Sequence, residues 1–258
     1  MEVIIEKNPA YGWRRIKAAL EKEHGIVINH KLLLKLLKLW GLSLNRKVRK
    51  KKKDWVRVVL DFLGKRANLL CKLMMDGILI KCFQIIVSNV TKLYYSGKKA
   101  YLAVHMDYRG KVIYGWSLQK GAGRDLVIKS LRMAVKSLKR YGIKILKRIV
   151  LHQDRGIIYT TDNYVAEALS FGFHLSYSRK GEPGDNAVNE SFFSRFKEEW
   201  RDIFEEAKDF EELYRLVRKA IQYHNKKRYH SSLGYETPRS FVRRQAKLFT
   251  QRPLELVR

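Results

Sequence analysis

The chain has 258 residues, 46% of them apolar, which is enough for one sizeable core plus a smaller unit and excludes a disordered chain. Lys and Arg number 54 against 25 Asp and Glu, a formal +29 that calls for a polyanionic partner, nucleic acid first. Two cysteines, Cys71 and Cys82, exclude a disulfide framework and a four-ligand zinc site and suit a reducing cytoplasm, while Lys72, Asp76 and Lys81 break the best apolar stretch and exclude a membrane span.

Residues 1–45 read as a separate helical unit. Trp13, Ile16, Ala19 and Leu20 follow helical spacing, Gly25 punctuates, and Asn29 is placed to cap a second helix carrying Leu32, Leu33, Leu36, Leu37 and Trp40. Two short helices, a turn and many lysines suggest a helix-turn-helix-like DNA-binding segment, a pattern that any small helical hairpin shares. The run "RKVRKKKKD" follows. Its like charges repel, so residues 46–78 are expected to form a basic linker, with Arg49 and Lys51 lying along phosphates.

From about residue 79 the pattern turns to strands. Ile85–Leu93, Ala100–Asp107 and Lys111–Leu118 are rich in Val, Ile and Tyr, with turn signals at Ser96-Gly97 and Arg109-Gly110. A helix over Asp125–Tyr141, a strand over Ile145–Leu151, a helix over Thr161–Phe171 and a short strand over Phe173–Tyr177 come next. Helices over Asp185–Trp200 and Asp209–His224 complete the core, taken as 79–245, with 246–258 a C-terminal tail. This order is that of an α/β ribonuclease-H-like core, a mixed five-stranded sheet with helices on both faces.

Asp154, in "LHQDRG", follows the fourth strand, where open α/β sheets place their sites; alone it reads as a turn aspartate. Glu190 stands near the start of a helix, where a carboxylate is favourable for the dipole alone. Between them lie 35 residues. Lys197 is two helical turns beyond Glu190 on one face. Arg155, Arg179 and Lys180 border the two loops and are candidates for a DNA path. His152 and His105 flank the site; strand-end histidines are more often structural.

The chain resembles insertion-sequence transposases with a retroviral-integrase-type DDE core, and looks like the larger, second-frame product of two-frame elements. The resemblance rests on "YGWRRI", "YLAVHMDYRGKVIYGW", "HQDRGIIYT", "SRKGEPGDNAVNESFFSRFKEE" and "YHNKKRYHSSLGYETPRSF", in order and spacing across nearly the whole chain. It implies Mg²⁺- or Mn²⁺-dependent strand cleavage and strand transfer at element ends, with two ions held by three carboxylates. The implied partners are double-stranded DNA of element ends and target, further copies of the chain, and a product of the upstream frame. The implied location is a bacterial or archaeal cytoplasm, at the nucleoid.

By the resemblance Asp154 and Glu190 are the second and third carboxylates. The first belongs on the first strand in a Trp-x-Asp-hydrophobic-Thr pattern. Here "IIVSNVT" puts Asn89 in the Asp position and Val87 in the Trp position. An amide oxygen ligates Mg²⁺ but is neutral, so the site loses one of three charges, at a cost of several kcal/mol or roughly 10³-fold in rate. Asp107, on the paired strand, is the nearest carboxylate that could substitute. Two other readings follow: a non-catalytic transposase-derived regulator or inhibitory subunit, and a generic basic RNA binder, which leaves the Asp154–Glu190 spacing unexplained.

Overall fold

The computed structural model describes residues 1–8, 11–42, 55–145, 149–179 and 187–251. The chain divides into two compact units, Met1–Lys53 and Asp54–Arg258. The first holds helices α1 (Glu2–Lys7), α2 (Trp13–His24) and α3 (His30–Leu39). Gly25 ends α2 in the left-handed region at φ 64°, where glycine is unstrained. The Asn29 side chain accepts from the Lys31 N–H at 2.9 Å and caps α3 as its sequence position suggests. Ile4, Ile16, Ala19, Leu20, Leu33 and Leu37 close a small core. The apolar stripe of α3 is narrower than its leucines imply, since Leu32 and Trp40 are exposed.

The second unit opens with α4 (Trp55–Leu63), a 3₁₀ turn, and α5 (Leu69–Met75). These helices correct the expectation of a linker over 46–78: from residue 55 the segment is folded. Leu60 and Leu70 are buried in the core, and the Asn68 side chain caps α5 through the Cys71 N–H. The lysine run, with Arg49 and Lys51, lies outside the described residues.

Strands β1 (Ile85–Tyr95), β2 (Lys98–Asp107) and β3 (Ile113–Gln119) form an antiparallel meander. Ser96 and Gly97, at φ 43° and 70°, make the tight two-residue hairpin turn between the first two. Helix α6 (Arg124–Arg140) leads to β4 (Val150–Gln153), α7 (Asp162–Ser170) and β5 (His174–Tyr177). Both β4 and β5 join in parallel, giving the order β3-β2-β1-β4-β5. Strand β4 is shorter and later than expected: Ile143 and Ile145 serve as core residues ahead of the pairing.

Helices cover both faces, and β1 shows the division. Its even position Ile86 packs on the α6 face; odd positions Ile85, Val87, Leu93 and Tyr95 pack under α8 (Ala187–Glu205) and α9 (Phe210–Lys226). Gly115 on β3 is required by α6: a Cβ there would meet the Ser130 carbonyl oxygen at 2.1 Å and the Ala134 nitrogen at 2.5 Å. Helix α10 (Pro238–Gln251) follows, with Val242 and Ala246 buried, so the segment expected as a tail from 246 begins inside a helix. No described helix is long and apolar enough to cross a membrane.

Candidate active site

The site grows from the register of β1 and β4. Their last pair is Ser88 with Gln153, so one step farther the chain carries Asn89 on one side and Asp154 on the other. Adjacent strands are about 4.8 Å apart, which makes the two residues neighbours. As an odd position of β1, Asn89 belongs to the face under α8. Helix α8 runs in the same direction as β1: the Glu205 carbonyl accepts from the Ser96 N–H at 3.0 Å, and Lys197 and Arg201 border one small cleft with Lys92 and Tyr94. From Glu205 back to Glu190 is about 22 Å of helix. From Ser96 back to Asn89 is about 23 Å of strand. Glu190, exposed in the first turn of α8, therefore comes level with Asn89.

Asn89 is accommodated by a backbone need. Even residues of β1 turn their N–H groups toward β4, as the Gln84 carbonyl does in accepting from the Val150 N–H. Strand β4 has ended by Val90, whose N–H would lack a partner; the Asn89 amide oxygen accepts it at 2.7 Å. Asp154 accepts from the Gly156 N–H at 2.7 Å. Burial raises the Asp154 carboxyl pKa, and the Gly156 hydrogen bond only partly opposes this. Residues of the same motif brace the loop from the opposite face: Tyr159 shares a 3.0 Å hydrogen bond with Ser88, and Tyr164 donates to Gln153 at 2.6 Å.

Asp107 does not join this group. It pairs with Ile86, three residues beyond the partner of Asn89, and so faces α6 on the other side of the sheet. Its fully buried carboxylate accepts from the N–H groups of Phe83 (2.8 Å), Arg109 (3.0 Å) and Gly110 (2.6 Å) and from the Tyr114 hydroxyl (3.0 Å). Its acceptors are spent on holding the β2–β3 turn. His105 is likewise structural, bonded to Ser130 at 2.7 Å, with burial pulling its pKa down to about 3. His152 is buried beneath the site and bonds Ser176 at 2.8 Å.

The expected DNA contacts separate. Lys197 lies half-buried on the Glu190 side of α8, its pKa lowered by burial and then by Arg201 one turn on. Arg155 is used internally: its guanidinium donates to the carbonyls of Ser178 (3.1 Å) and Gly64 (3.2 Å) and to Asp61 (3.3 Å). Arg179 is half-buried after β5, and Lys180 lies outside the described residues. Sequence reasoning missed two features. A cavity of about 530 Å³ beside α8 is lined by Arg195, Glu199, His224 and His230, where burial brings the two histidine pKa values to about 3 and about 4. A basic cleft joins α6, α9 and α10; only the density of Arg in "RSFVRRQAK" signalled it.

Asn89, Asp154 and Glu190 offer only oxygen ligands, the set that suits Mg²⁺ or Mn²⁺. Two carboxylates and an amide would suit one divalent ion, and bring only two negative charges against the four positive charges of a pair. Among the described residues no group of three or more His, Cys, Asp or Glu is placed to hold a metal ion.

A meander extended by two parallel strands, with Asp154 at the end of β4 and Glu190 on a helix across β1, defines an integrase core of the ribonuclease-H-like class. Residues 172–238 match the integrase core domain family and residues 1–52 an HTH-like domain family. The chain is 30% identical over 238 residues to the putative transposase InsK for insertion sequence element IS150 of Escherichia coli, covering 92% of this chain and 79% of that one. It is 30% identical over 243 residues to the transposase for insertion sequence element IS904 of Lactococcus lactis, covering 93% and 90%. Its fold is similar to that of a chain in the simian T-cell lymphotropic virus intasome, with a TM-score of 0.51 at 15% identity over 62% of this chain and 54% of that one. The chain belongs to the insertion-sequence transposases.

Proposed function

We propose that this chain is the DNA-strand-processing polypeptide of an insertion sequence, built for metal-dependent strand cleavage and strand transfer at element ends, and that Asn89 leaves this copy impaired. The convergence of Asn89, Asp154 and Glu190 on one face of the sheet supports the reading. Asp154 and Glu190, with the Asn89 amide oxygen, would hold Mg²⁺ or Mn²⁺. A bound ion would activate the attacking water or 3′-hydroxyl and stabilise the leaving oxygen. Half-burial of Asp154 keeps bulk water from screening its charge, and Lys197 is positioned to meet a phosphate. The partners are duplex DNA of element ends and target, further copies of the chain that pair the two ends, and an upstream-frame product, acting at a bacterial or archaeal nucleoid.

The test compares this chain with Asn89→Asp in cleavage and joining of element-end DNA with Mg²⁺ or Mn²⁺. Restoring the third charge is expected to raise the rate by roughly 10³-fold at unchanged DNA affinity. Equal turnover by the two proteins would sink the impaired site. Asn89 also favours a second reading, a non-catalytic DNA-binding regulator or inhibitory subunit. That reading expects this chain to suppress an active relative in mixed reactions.

A further inference from the structure

The cleft joining the ends of α6 and α9 to α10 has a volume of about 1070 Å³ and opens beside β3, the edge strand farthest from β5. Arg140 closes α6, Lys226 closes α9, and Arg239, Arg243 and Lys247 stand along α10; Arg244, also at the rim, is bound to Glu236 at 2.5 Å. No carboxylate of the described residues lines the cleft. Arg140, Lys226, Arg239 and Arg243 make no ion pair among the described residues. Burial raises the Tyr141 hydroxyl pKa while Arg239 and Arg243 work against it, so the field of these cations converges on the cleft floor.

The fold does not need this arrangement. Arg239 and Arg243 are four residues apart on one helix, where like charges repel. No described side chain of the cleft offsets that repulsion, and an anion from outside would. We propose that this cleft binds the phosphate backbone of duplex DNA, as a contact separate from the carboxylate site. Arg239 and Arg243 stand about 6 Å apart along α10, which matches about two nucleotides along the axis of one strand. Arg140, Lys226 and Trp116 line the same cleft. The contact reads no sequence, because phosphate contacts fix position without specifying bases.

Another copy of the chain is the competing occupant. Acidic residues do gather at the α8–α9 turn, where Glu205, Glu206, Asp209, Glu211 and Glu212 follow closely. A copy docking through them would carry a formal +29 with it and leave the charge excess larger than before. Duplex DNA neutralises the cleft without that penalty and gains counterion release.

The proposal rests on the reading of the chain as a DNA-acting transposase, and the experiment separates the two. Binding of the full chain to a 30-base-pair duplex of arbitrary sequence is followed by fluorescence anisotropy across a salt series. The variant Arg140→Gln/Lys226→Gln/Arg243→Gln removes three exposed cations of the cleft. It is expected to weaken binding at least tenfold in about 0.1 M salt and to reduce the salt slope by about 2 to 3. The control Lys98→Gln/Lys99→Gln/Lys219→Gln, also fully surface cations, is expected to change the slope by less than about 1. Circular dichroism checks that both variants melt like the parent, and Arg243→Glu alone repeats the test at one exposed side chain. Equal slope changes in cleft and control variants would overturn the cleft. So would an unmoved slope accompanied by a changed sedimentation coefficient without DNA, which would give the cleft to a second copy. Failure of the unmodified chain to bind duplex DNA at all would overturn the transposase reading as well.

Discussion

Replacing Asp107 by Ala tests whether this carboxylate is structural or belongs to the metal site. The substitution leaves the Phe83 and Gly110 N–H groups and the Tyr114 hydroxyl buried without their acceptor, while the Arg109 N–H is half-exposed and regains water. Each buried orphan costs about 1–3 kcal/mol. Removing a carboxylate whose pKa burial raises returns part of that, so a net loss of about 3 kcal/mol is expected. Urea unfolding followed by far-ultraviolet circular dichroism measures it as a lower midpoint at constant slope. The isosteric Asp107→Asn separates the roles, because it keeps one acceptor and the shape of the turn. In an Asn89→Asp background its cleavage rate per folded molecule should match the parent. A stable Asp107→Asn protein without metal-dependent cleavage would refute the structural assignment. So would a loss below about 1 kcal/mol in Asp107→Ala.

Asp154→Asn should stabilise the metal-free protein. The folded-state pKa of Asp154 is raised, so the folded state binds the proton more readily, and stability falls as pH climbs from the unfolded value through the folded one. The asparagine keeps the bond to Gly156 without the charge, so its melting temperature should exceed the parent's at pH 7 and match it at low pH. Arg155→Ala should cost about 1–2 kcal/mol through the lost bonds to the Ser178 and Gly64 carbonyls, since its ion pair to the exposed Asp61 contributes little. The same variant should leave the salt slope of DNA binding unchanged; a drop of about 1 would make Arg155 a phosphate contact.

The sheet was legible because its strands are runs rich in Val, Ile and Tyr and its turns carry their own chemistry. Ser96-Gly97 set the first hairpin, and with it the pairing of Asn89 with Val104. The helices at 55–63 and 69–75 were hidden by the lysine run before them and by exposed Val58, Val59 and Phe62, which blur the helical period. Asp154 and Glu190 were singled out by the family resemblance of their motifs, and their nearness to Asn89 is argued from register and helix rise. Asp107 followed from the same turn: once Ser96-Gly97 pairs Asn89 with Val104, Asp107 lies three residues beyond that partner and faces away from the site, whereas an offset of two would have pointed it there. Arg155, by contrast, looked like a DNA contact. Its three carbonyl and carboxylate partners come from α4, the 3₁₀ turn and the segment after β5, none of which its local sequence announces.

The fold asks for an oxygen acceptor at position 89 and not for a charge, so the effect of a charge there can be read from how stability responds to a divalent ion. The Val90 N–H needs an oxygen acceptor, and Asn and Asp supply one equally well. An aspartate there would add a second carboxylate beside Asp154, whose own charged form burial already disfavours. Metal-free Asn89→Asp is therefore expected to melt below the parent. Binding of a divalent ion to the folded state alone adds RT ln(1 + [L]/Kd), about 2.7 kcal/mol at a hundredfold excess over Kd. Magnesium should then raise the melting temperature of Asn89→Asp more than that of the parent and reverse their order. Calorimetry with Mg²⁺ and with Na⁺ at matched ionic strength distinguishes this from screening. Parallel rises in the two proteins would mean that position 89 does not touch the ion, and the three-residue site built here from register and helix rise would be wrong.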